Sequence, residues 1–269
     1  MKRVEPVELM AVAATDAEFR DKATNLAQRL ALPLLRVGTL ARTLDSHEVV
    51  LYCGAGGLYL QRTGKSAPGP VAVEFGSAAM RHRRRGGQNE LLGKAVGVGK
   101  KSPLHVLDGT AGLGKDSFVL ADLGCEVLLR ERNPLIAELL ASGLEVASAS
   151  ADSWLLDVIT RLTLSAGDVR NVTGSQLDMI DTVYLDPMFP ARGKSASVKK
   201  EMALFQALLE SDAEPADGDQ LLSWALEQDV ARVVVKRPAS APALIGQKPS
   251  HVIAGKAVRY DVYVKRGFS

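Results

Sequence analysis

Apolar residues fall in short runs punctuated by glycine, proline and charge, and the period changes along the chain. Leu104-His105-Val106-Leu107 reads as a buried strand, and a glycine-rich turn from Asp108 to Asp116 follows it. Residues 117–123, Ser-Phe-Val-Leu-Ala-Asp-Leu, then place apolar side chains at helical spacing. Residues 126–130 form the next strand, ending at Glu131-Arg132, and Asn133-Pro134 opens another helix. Strands are predicted again at 162–166 and 182–185. Further on, the pattern predicts helices at 201–209 and 221–228 around an acidic loop, 210–219. A strand at 231–236 is expected to end at Arg237-Pro238, and 251–253 with 258–264 to pair as an antiparallel hairpin. Strands alternating with helices define an α/β chain.

The first 80 residues differ in character. They offer a strand at 7–12, a helix at 16–30 with Ala, Leu and Phe on one face, a hairpin over 51–60 turning at its glycines, a loop at 64–70 and a short strand at 71–75. A small α+β unit, residues 1–80, therefore precedes a larger domain, residues 81–269. Its role is either to position a substrate or to cap the fold.

Two elements carry candidate chemistry. Asp186-Pro187-Met188-Phe189-Pro190 emerges from the apolar run Thr182-Val183-Tyr184-Leu185. A carboxylate at a buried strand end, followed by proline and an aromatic ring, suits an exocyclic amine on a nucleobase. The amine lone pair is delocalised into the base. An acceptor for its hydrogens lets the nitrogen pyramidalise, while the ring of Phe189 stacks the base. The plainer alternative is a strand ended by an ordinary Asp-Pro turn.

The second element is the turn after the strand at 104–107. Its glycines let a ligand approach the main chain, and Glu131, 23 positions after Asp108, lies where a second-strand carboxylate meets a ribose diol. Three ligands compete for it. A dinucleotide is least favoured, because Gly112 and Gly114 are present but Ser117 replaces the third glycine of that fingerprint. A nucleoside triphosphate is sharper, since Gly109 to Lys115 matches Gly-x-x-x-x-Gly-Lys, yet Asp116 stands where a magnesium-binding hydroxyl belongs. S-adenosylmethionine fits better. Asp108 and Asp116 can serve its cationic end and Glu131 its ribose, while Lys115 or Arg132 can meet its carboxylate or pair with a neighbouring acid. In the remaining alternative the loop only turns the chain.

The order of elements over about residues 85–269 resembles a class I methyltransferase: a Rossmann-like, mostly parallel sheet with an antiparallel carboxyl-terminal hairpin. Val106 to Asp116, Glu131-Arg132-Asn133-Pro134, Tyr184 to Pro190, and Lys194-Ser195-Ala196-Ser197-Val198-Lys199-Lys200-Glu201-Met202 together resemble the small-subunit ribosomal RNA methyltransferase J family over nearly the whole chain. That resemblance implies a cytoplasmic bacterial enzyme that moves a methyl group from S-adenosylmethionine to N2 of one guanine in 16S ribosomal RNA. It implies cofactor contacts at Lys115, Asp116, Glu131, Arg132 and Asp186, with Gly167 and Asp168 as a less secure pair near the adenine. The family pattern has small hydroxyl residues at that pair, from which this chain departs. Asp186, Pro187 and Phe189 take the catalytic positions. A non-catalytic RNA-binding module on the same fold stays open.

Charge adds a partner. The net charge is only +2, but residues 81–101 hold Arg81, Arg83, Arg84, Arg85, Lys94, Lys100 and Lys101 against Glu90 alone. Residues 192–200 add Arg192, Lys194, Lys199 and Lys200 with no acid. Both segments flank the ligand loops in sequence and are expected to line one basic entrance for RNA phosphates, Arg83, Arg84, Arg85, Lys194, Lys199 and Lys200 above all. Aromatic residues are 5% of the chain and do not interleave with these clusters, which argues against general stacking on single strands. Cys53 and Cys125 have no metal or redox spacing and the 4 histidines are scattered, so no metal site is expected. Residues 7–14 are too short an apolar run to span a bilayer, and charges follow at once. Trp154 and Trp224 read as core residues.

Overall fold

A computed structural model of the chain describes residues 10–44, 48–65, 67, 69–78, 80–81, 89–187 and 217–268. These divide into two compact units.

The first unit comprises residues up to Glu74 together with Glu138–Val146. Its four strands, β1 (Met10–Ala14), β2 (Val49–Gly54), β3 (Gly57–Arg62) and β4 (Val71–Ala72), lie in that order. β1 and β2 run parallel, whereas the β2–β3 hairpin and the β3–β4 pair are antiparallel. Pairing in β4 stops at Ala72, short of the predicted 71–75. Helix α1 (Arg20–Leu30) packs on β1 and buries Ala23, Leu26 and Ala27; a 3-10 turn, Ala17–Phe19, replaces the predicted first turn. Gly57 starts β3 at φ +89°, where a Cβ would lie 2.6 Å from Ser142 Oγ and 2.9 Å from Val146 Cγ2. That hydroxyl accepts from the Leu58 amide at 2.8 Å, so it is not free to swing aside. Gly57→Ala is expected to destabilise the protein by about 1–3 kcal/mol, read as a lower denaturant midpoint at unchanged slope.

The second unit is built on a seven-stranded sheet. Its strands are β5 (Leu104–Asp108), β6 (Cys125–Glu131), β7 (Leu162–Ala166), β8 (Thr182–Leu185), β9 (Arg232–Pro238), β10 (His251–Ala254) and β11 (Val258–Val264). The spatial order is β10-β11-β9-β8-β5-β6-β7. β7, β6, β5, β8 and β9 are mutually parallel, and β11 and β10 close the edge antiparallel. The order reverses between β5 and β8, and the crevice at the carboxyl ends of those strands is where open α/β sheets hold ligands. Every residue of β8 is buried, as a central parallel strand requires.

The helices of this unit are α2 (Asn89–Val96), α3 (Lys115–Asp122), α5 (Ser153–Ile159) and α6 (Asp217–Glu227), with both ends of α4 (Pro134–Ser148), whose residues 138–146 belong to the first unit. α2 and α5 are not among the helices predicted from the hydrophobic pattern; the Asp152 carboxylate caps α5 by accepting from the Trp154 and Leu155 amides. α4 starts as its sequence implies: Asn133 Oδ1 accepts from the Leu135 and Ile136 amides, with Pro134 at the first helical position. Leu221, Leu222 and Ala225 of α6 join Val183, Leu185, Val233 and Val235 in one core cluster.

β9 runs on through Arg237 and Pro238, which pair with Arg259 and Val258, instead of ending before them. β8 stops opposite Val235, so beyond that point β9 has a partner on one side only and tolerates a proline. Trp154 meets Phe118 edge-on at 5.7 Å, and Trp224 packs against the α6 core cluster. Both cysteines are buried free thiols, and burial pushes Cys53 up to about 11 and Cys125 to about 12. The predicted helix at 201–209 and residues 210–216 of the predicted loop 210–219 lie outside the described residues, and the rest of that loop, 217–219, is the first turn of α6, which starts before the predicted 221.

Candidate active site

The carboxyl end of β5 builds the first part of the site. The chain leaves Asp108 and turns through Gly112 (φ +54°) and Gly114 (φ +70°), the latter capping α3 in a left-handed conformation. The turn is tied to both neighbouring strands, because the Gly109 amide donates to the Tyr184 carbonyl and the Ala111 amide to the Arg130 carbonyl, each at 3.0 Å. Asp108 is 1% exposed. Its carboxyl accepts from the Thr110 amide at 3.1 Å and from the Ser117 hydroxyl. Asp108, expected to serve a cationic ligand, lies buried beneath the start of α3 and holds the turn. That burial pushes its pKa up to about 7, with Asp116 and Asp186 adding to the rise and the two hydrogen bonds opposing it.

A folded pKa raised above the unfolded value means that Asp108 stabilises the fold while protonated. The contribution is full below about pH 4 and is lost as pH rises through about 7. Asp108→Asn is expected to remove this loss. The difference in unfolding free energy between variant and wild type should rise by at most about 4 kcal/mol from pH 4 to pH 8. Parallel stability curves across that range would refute it.

Glu131, at the end of β6, is 6% exposed. Oε2 accepts from the Gly112 amide at 2.7 Å and Oε1 from the Asn133 amide at 2.8 Å. One carboxylate thus joins the glycine turn to the start of α4; a carboxylate at the end of this strand is the group type that accepts from a ribose diol.

The second part of the site lies at the carboxyl ends of β8 and β9. Leu185 pairs with Val235, so the next residues, Asp186 and Lys236, fall side by side. Lys236 Nζ donates to Asp186 Oδ2 and to Asp116 Oδ2, both at 2.7 Å. The buried Tyr184 hydroxyl donates to the same Asp116 oxygen at 2.7 Å, and the Asp186 amide donates to Thr110 Oγ1 at 2.6 Å. The Asp186 side chain stays 39% exposed, against 11% for Asp116. Desolvation by the surrounding protein raises the Asp186 pKa, Lys236 opposes the rise and Asp116 adds to it. Burial acts to lower Lys236, but Asp186 and Asp116 outweigh it and hold the ammonium protonated. Tyr184 is held well above its ordinary value by burial and the neighbouring carboxylates, so it remains a hydrogen-bond donor.

The third part is an ionic cluster behind β6 and β7. Arg132 forms a two-pronged pair with Asp217 at the start of α6, both contacts at 2.9 Å. Arg132 therefore takes the paired alternative open to it. Gly167 adopts φ +123°, and a Cβ there would lie 2.9 Å from the Arg130 guanidinium. Asp168 caps the following 3-10 turn and pairs with Arg170, which holds its pKa low. Arg170 reaches on to Gln220 at 2.8 Å. Lys115 is the first residue of α3 and is exposed.

The structure brings Gly112, Gly114, Asp116, Glu131 and Asp186 together at one edge of the sheet, with Gly167 and Asp168 at the end of the adjoining strand. Pro187 follows Asp186 and is buried. Phe189, Arg83, Arg84, Arg85, Lys194, Lys199 and Lys200 lie outside the described residues. Part of the basic segment 81–101 does not line the crevice. Lys101 pairs with Asp181 at 2.9 Å, and both precede the amino ends of β5 and β8. Residues immediately before a strand sit at its amino end, a full strand length from ligand loops at the other end. Arg81 stacks over Trp154 at 4.7 Å and pairs with Asp152.

Sequence reasoning did not single out Lys236, Tyr184 or Thr110 as individual groups. A lysine closing the apolar run Val233-Val234-Val235 was the available signal for Lys236, because a buried parallel strand rarely ends in a charge without a partner. The donor set suits a cationic nucleoside: carboxylates outnumber the one lysine among them, the turn offers main chain for close approach, and Glu131 offers diol acceptors. Asp116 excludes the triphosphate alternative, since its carboxylate occupies the position of the metal-binding hydroxyl and is locked on Lys236 and Tyr184. Among the described residues no His/Cys/Asp/Glu group is arranged to hold a metal ion, and no helix is long and apolar enough to cross a membrane.

Known proteins resemble this chain. Residues 35–265 match the family model described as "Putative SAM-dependent methyltransferase". The chain is 46% identical over 257 residues to ribosomal RNA small subunit methyltransferase J of Cellvibrio japonicus, covering 93% of this chain and 95% of that one. It is 45% identical over 261 residues to the protein of the same name from Pseudomonas fluorescens, covering 95% and 94%. The crystal structure of a SAM-dependent methyltransferase from Neisseria gonorrhoeae matches with a TM-score of 0.69 at 32% identity, over 96% of this chain and 98% of that one.

Proposed function

The chain belongs to the ribosomal RNA small subunit methyltransferase J family of S-adenosylmethionine-dependent enzymes, and from that premise we propose that it methylates the exocyclic N2 of one guanine in 16S ribosomal RNA. The observation that carries the amine-methylation reading is Asp186, a partly exposed carboxylate fixed at the switch point by Lys236 and by its own amide bond to Thr110; guanine N2 in 16S ribosomal RNA follows from the family.

Bound S-adenosylmethionine supplies an electrophilic methyl group on a positively charged sulfur. Residues fitted to hold it are the Gly112–Gly114 main chain, Glu131 for the ribose and Asp116 for the cationic end, with Lys115, Gly167 and Asp168 at the margins. Asp186 accepts a hydrogen from the N2 amine, which lets the nitrogen pyramidalise and localise its lone pair. The Pro187 carbonyl accepts the second hydrogen, and Phe189 packs on the base. A strong general base is unnecessary, because the alkylated amine is acidic and sheds its proton afterwards. Alignment of amine and methyl group supplies most of the acceleration. The target guanine has to present its N2 edge unpaired or swung from its stack.

Phosphate contacts fall to Arg83, Arg84, Arg85, Lys194, Lys199 and Lys200 in this reading, and the reaction takes place in the cytoplasm on free RNA or on the small subunit. Mass spectrometry of 16S ribosomal RNA fragments from cells with and without the gene tests it. Loss of one N2-methylguanine, restored by the wild-type gene, is the expected result. An unchanged modification pattern would sink the ribosomal target.

A further inference from the structure

We propose that Lys236 is a positioning residue for methyl transfer: by bridging Asp186 and Asp116 it holds the acceptor carboxylate ionised and aimed while keeping it separate from a second carboxylate beside it. This rests on the reading of Asp186 as the amine acceptor.

The geometry carries the inference. A single ammonium lies 2.7 Å from Oδ2 of both carboxylates, one contributed by β8 and the other by the first turn of α3. Two carboxylates on one small site repel unless a cation stands between them. The arrangement is locked from behind: the Tyr184 hydroxyl donates to Asp116 Oδ2, and the Asp186 amide is bonded to Thr110 Oγ1. The Lys236 side chain is 21% exposed, so the pair is only partly screened by water. Lys236 also sits opposite Tyr260 of β11 in the sheet.

Among the described residues, the charged and titratable groups facing Asp186 are Lys236 from β9, Asp116 from α3, and Tyr184 and Asp108 from the adjoining strand ends. Lys236 is the one cation among them. An amine acceptor must be unprotonated to take a hydrogen, and desolvation and the nearby Asp116 work against that. Lys236 opposes the rise without touching the substrate amine.

Two substitutions move the same quantity in opposite directions. In Lys236→Met, Asp186 loses its counter-ion and faces Asp116 directly. The acid limb of the pH profile of kcat is expected to move up by roughly one pH unit or more, with most of the lost rate recovered at higher pH. In Asp116→Asn, the repelling charge is gone and Lys236 is left to Asp186 alone, so the limb is expected to move down. Lys236→Arg keeps the charge and should keep the limb near its wild-type position. A 13C titration of the Asp186 carboxyl, assigned by its absence in Asp186→Asn, reads the same shifts without any turnover.

If wild type transfers no methyl group to guanine, the reaction reading fails. The carboxyl titration then still decides whether Lys236 governs Asp186. A folded Lys236→Met protein whose limb and carboxyl titration coincide with wild type would overturn the proposal. So would a variant slowed equally at every pH, because that is the signature of a merely structural lysine.

Discussion

Asp186→Ala is expected to abolish measurable methyl transfer, a loss of roughly a thousandfold or more, with the fold intact. The residue is placed for this effect by its surroundings. β8 is buried along its length and delivers the carboxylate at the carboxyl ends of the parallel strands, the amide of Asp186 is bonded to Thr110, and Lys236 meets its side chain at 2.7 Å. Alanine leaves Lys236 with Asp116 alone, so a folded protein is expected, and a melting curve close to wild type will establish that. The Asn variant is the informative companion. It keeps an oxygen acceptor and discards the charge, so its rate should fall between wild type and alanine. S-adenosylmethionine binding, measured by calorimetry on each variant, separates a substrate role from a cofactor role. A large loss of rate at nearly constant cofactor affinity places Asp186 on the amine. A parallel loss of affinity makes it chiefly a cofactor ligand. Near-normal turnover in the alanine variant would remove the assignment.

Glu131→Ala should weaken S-adenosylmethionine binding by on the order of a hundredfold, the equivalent of two charge-assisted hydrogen bonds of about 1.5 kcal/mol each. The carboxylate does two things at once. It accepts from the Gly112 and Asn133 amides, and so fixes the glycine turn relative to the opening of α4, and in the proposed reading it also accepts from the ribose diol. Removing it strands two amides in a nearly buried position and takes away the ligand's acceptors together. Glu131→Gln retains one acceptor oxygen and is expected to recover part of the affinity. Calorimetry with S-adenosylmethionine and thermal melting on the same samples check both halves. An unchanged affinity with a lowered melting point would show that Glu131 serves the loop alone.

Several parts of this protein are legible in the chain alone. Strand runs such as Leu162–Ala166, Thr182–Leu185 and Val258–Val264 coincide with the observed strands: the second is an apolar run buried throughout, and the other two alternate apolar and polar residues as partly exposed strands do. Asn133-Pro134 marks the start of α4 for a local reason: the asparagine caps the helix and the proline needs no amide partner there. Two glycines with positive φ follow β5 because no other residue adopts that path cheaply. The acids at the ends of β5, β6 and β8 could be picked out for a similar reason, since charge at the end of an apolar run is costly unless it has a partner or a ligand.

What escapes the sequence is everything that depends on which strands become neighbours. Asp116 and Lys236 are far apart in the chain, and their contact at 2.7 Å exists only because β9 pairs with β8, β8 with β5, and α3 follows β5. The same pairing separates residues that sequence proximity seemed to unite. Lys101 stands close to the glycine turn in the chain but pairs with Asp181 at the opposite end of the strands. Asp108 and Asp116 look alike as acids flanking one loop, yet one is buried and pushed up to about 7 while the other is locked on a lysine and a tyrosine.

The sequence by itself determined the elements, the turn chemistry and the family, because these depend on local backbone preference and on short motifs in a set order. Only the tertiary structure decided which carboxylate faces outward, which holds a loop and which cation balances them. Burial and Coulomb interaction act through space, and sheet pairing sets those distances where separation along the chain does not.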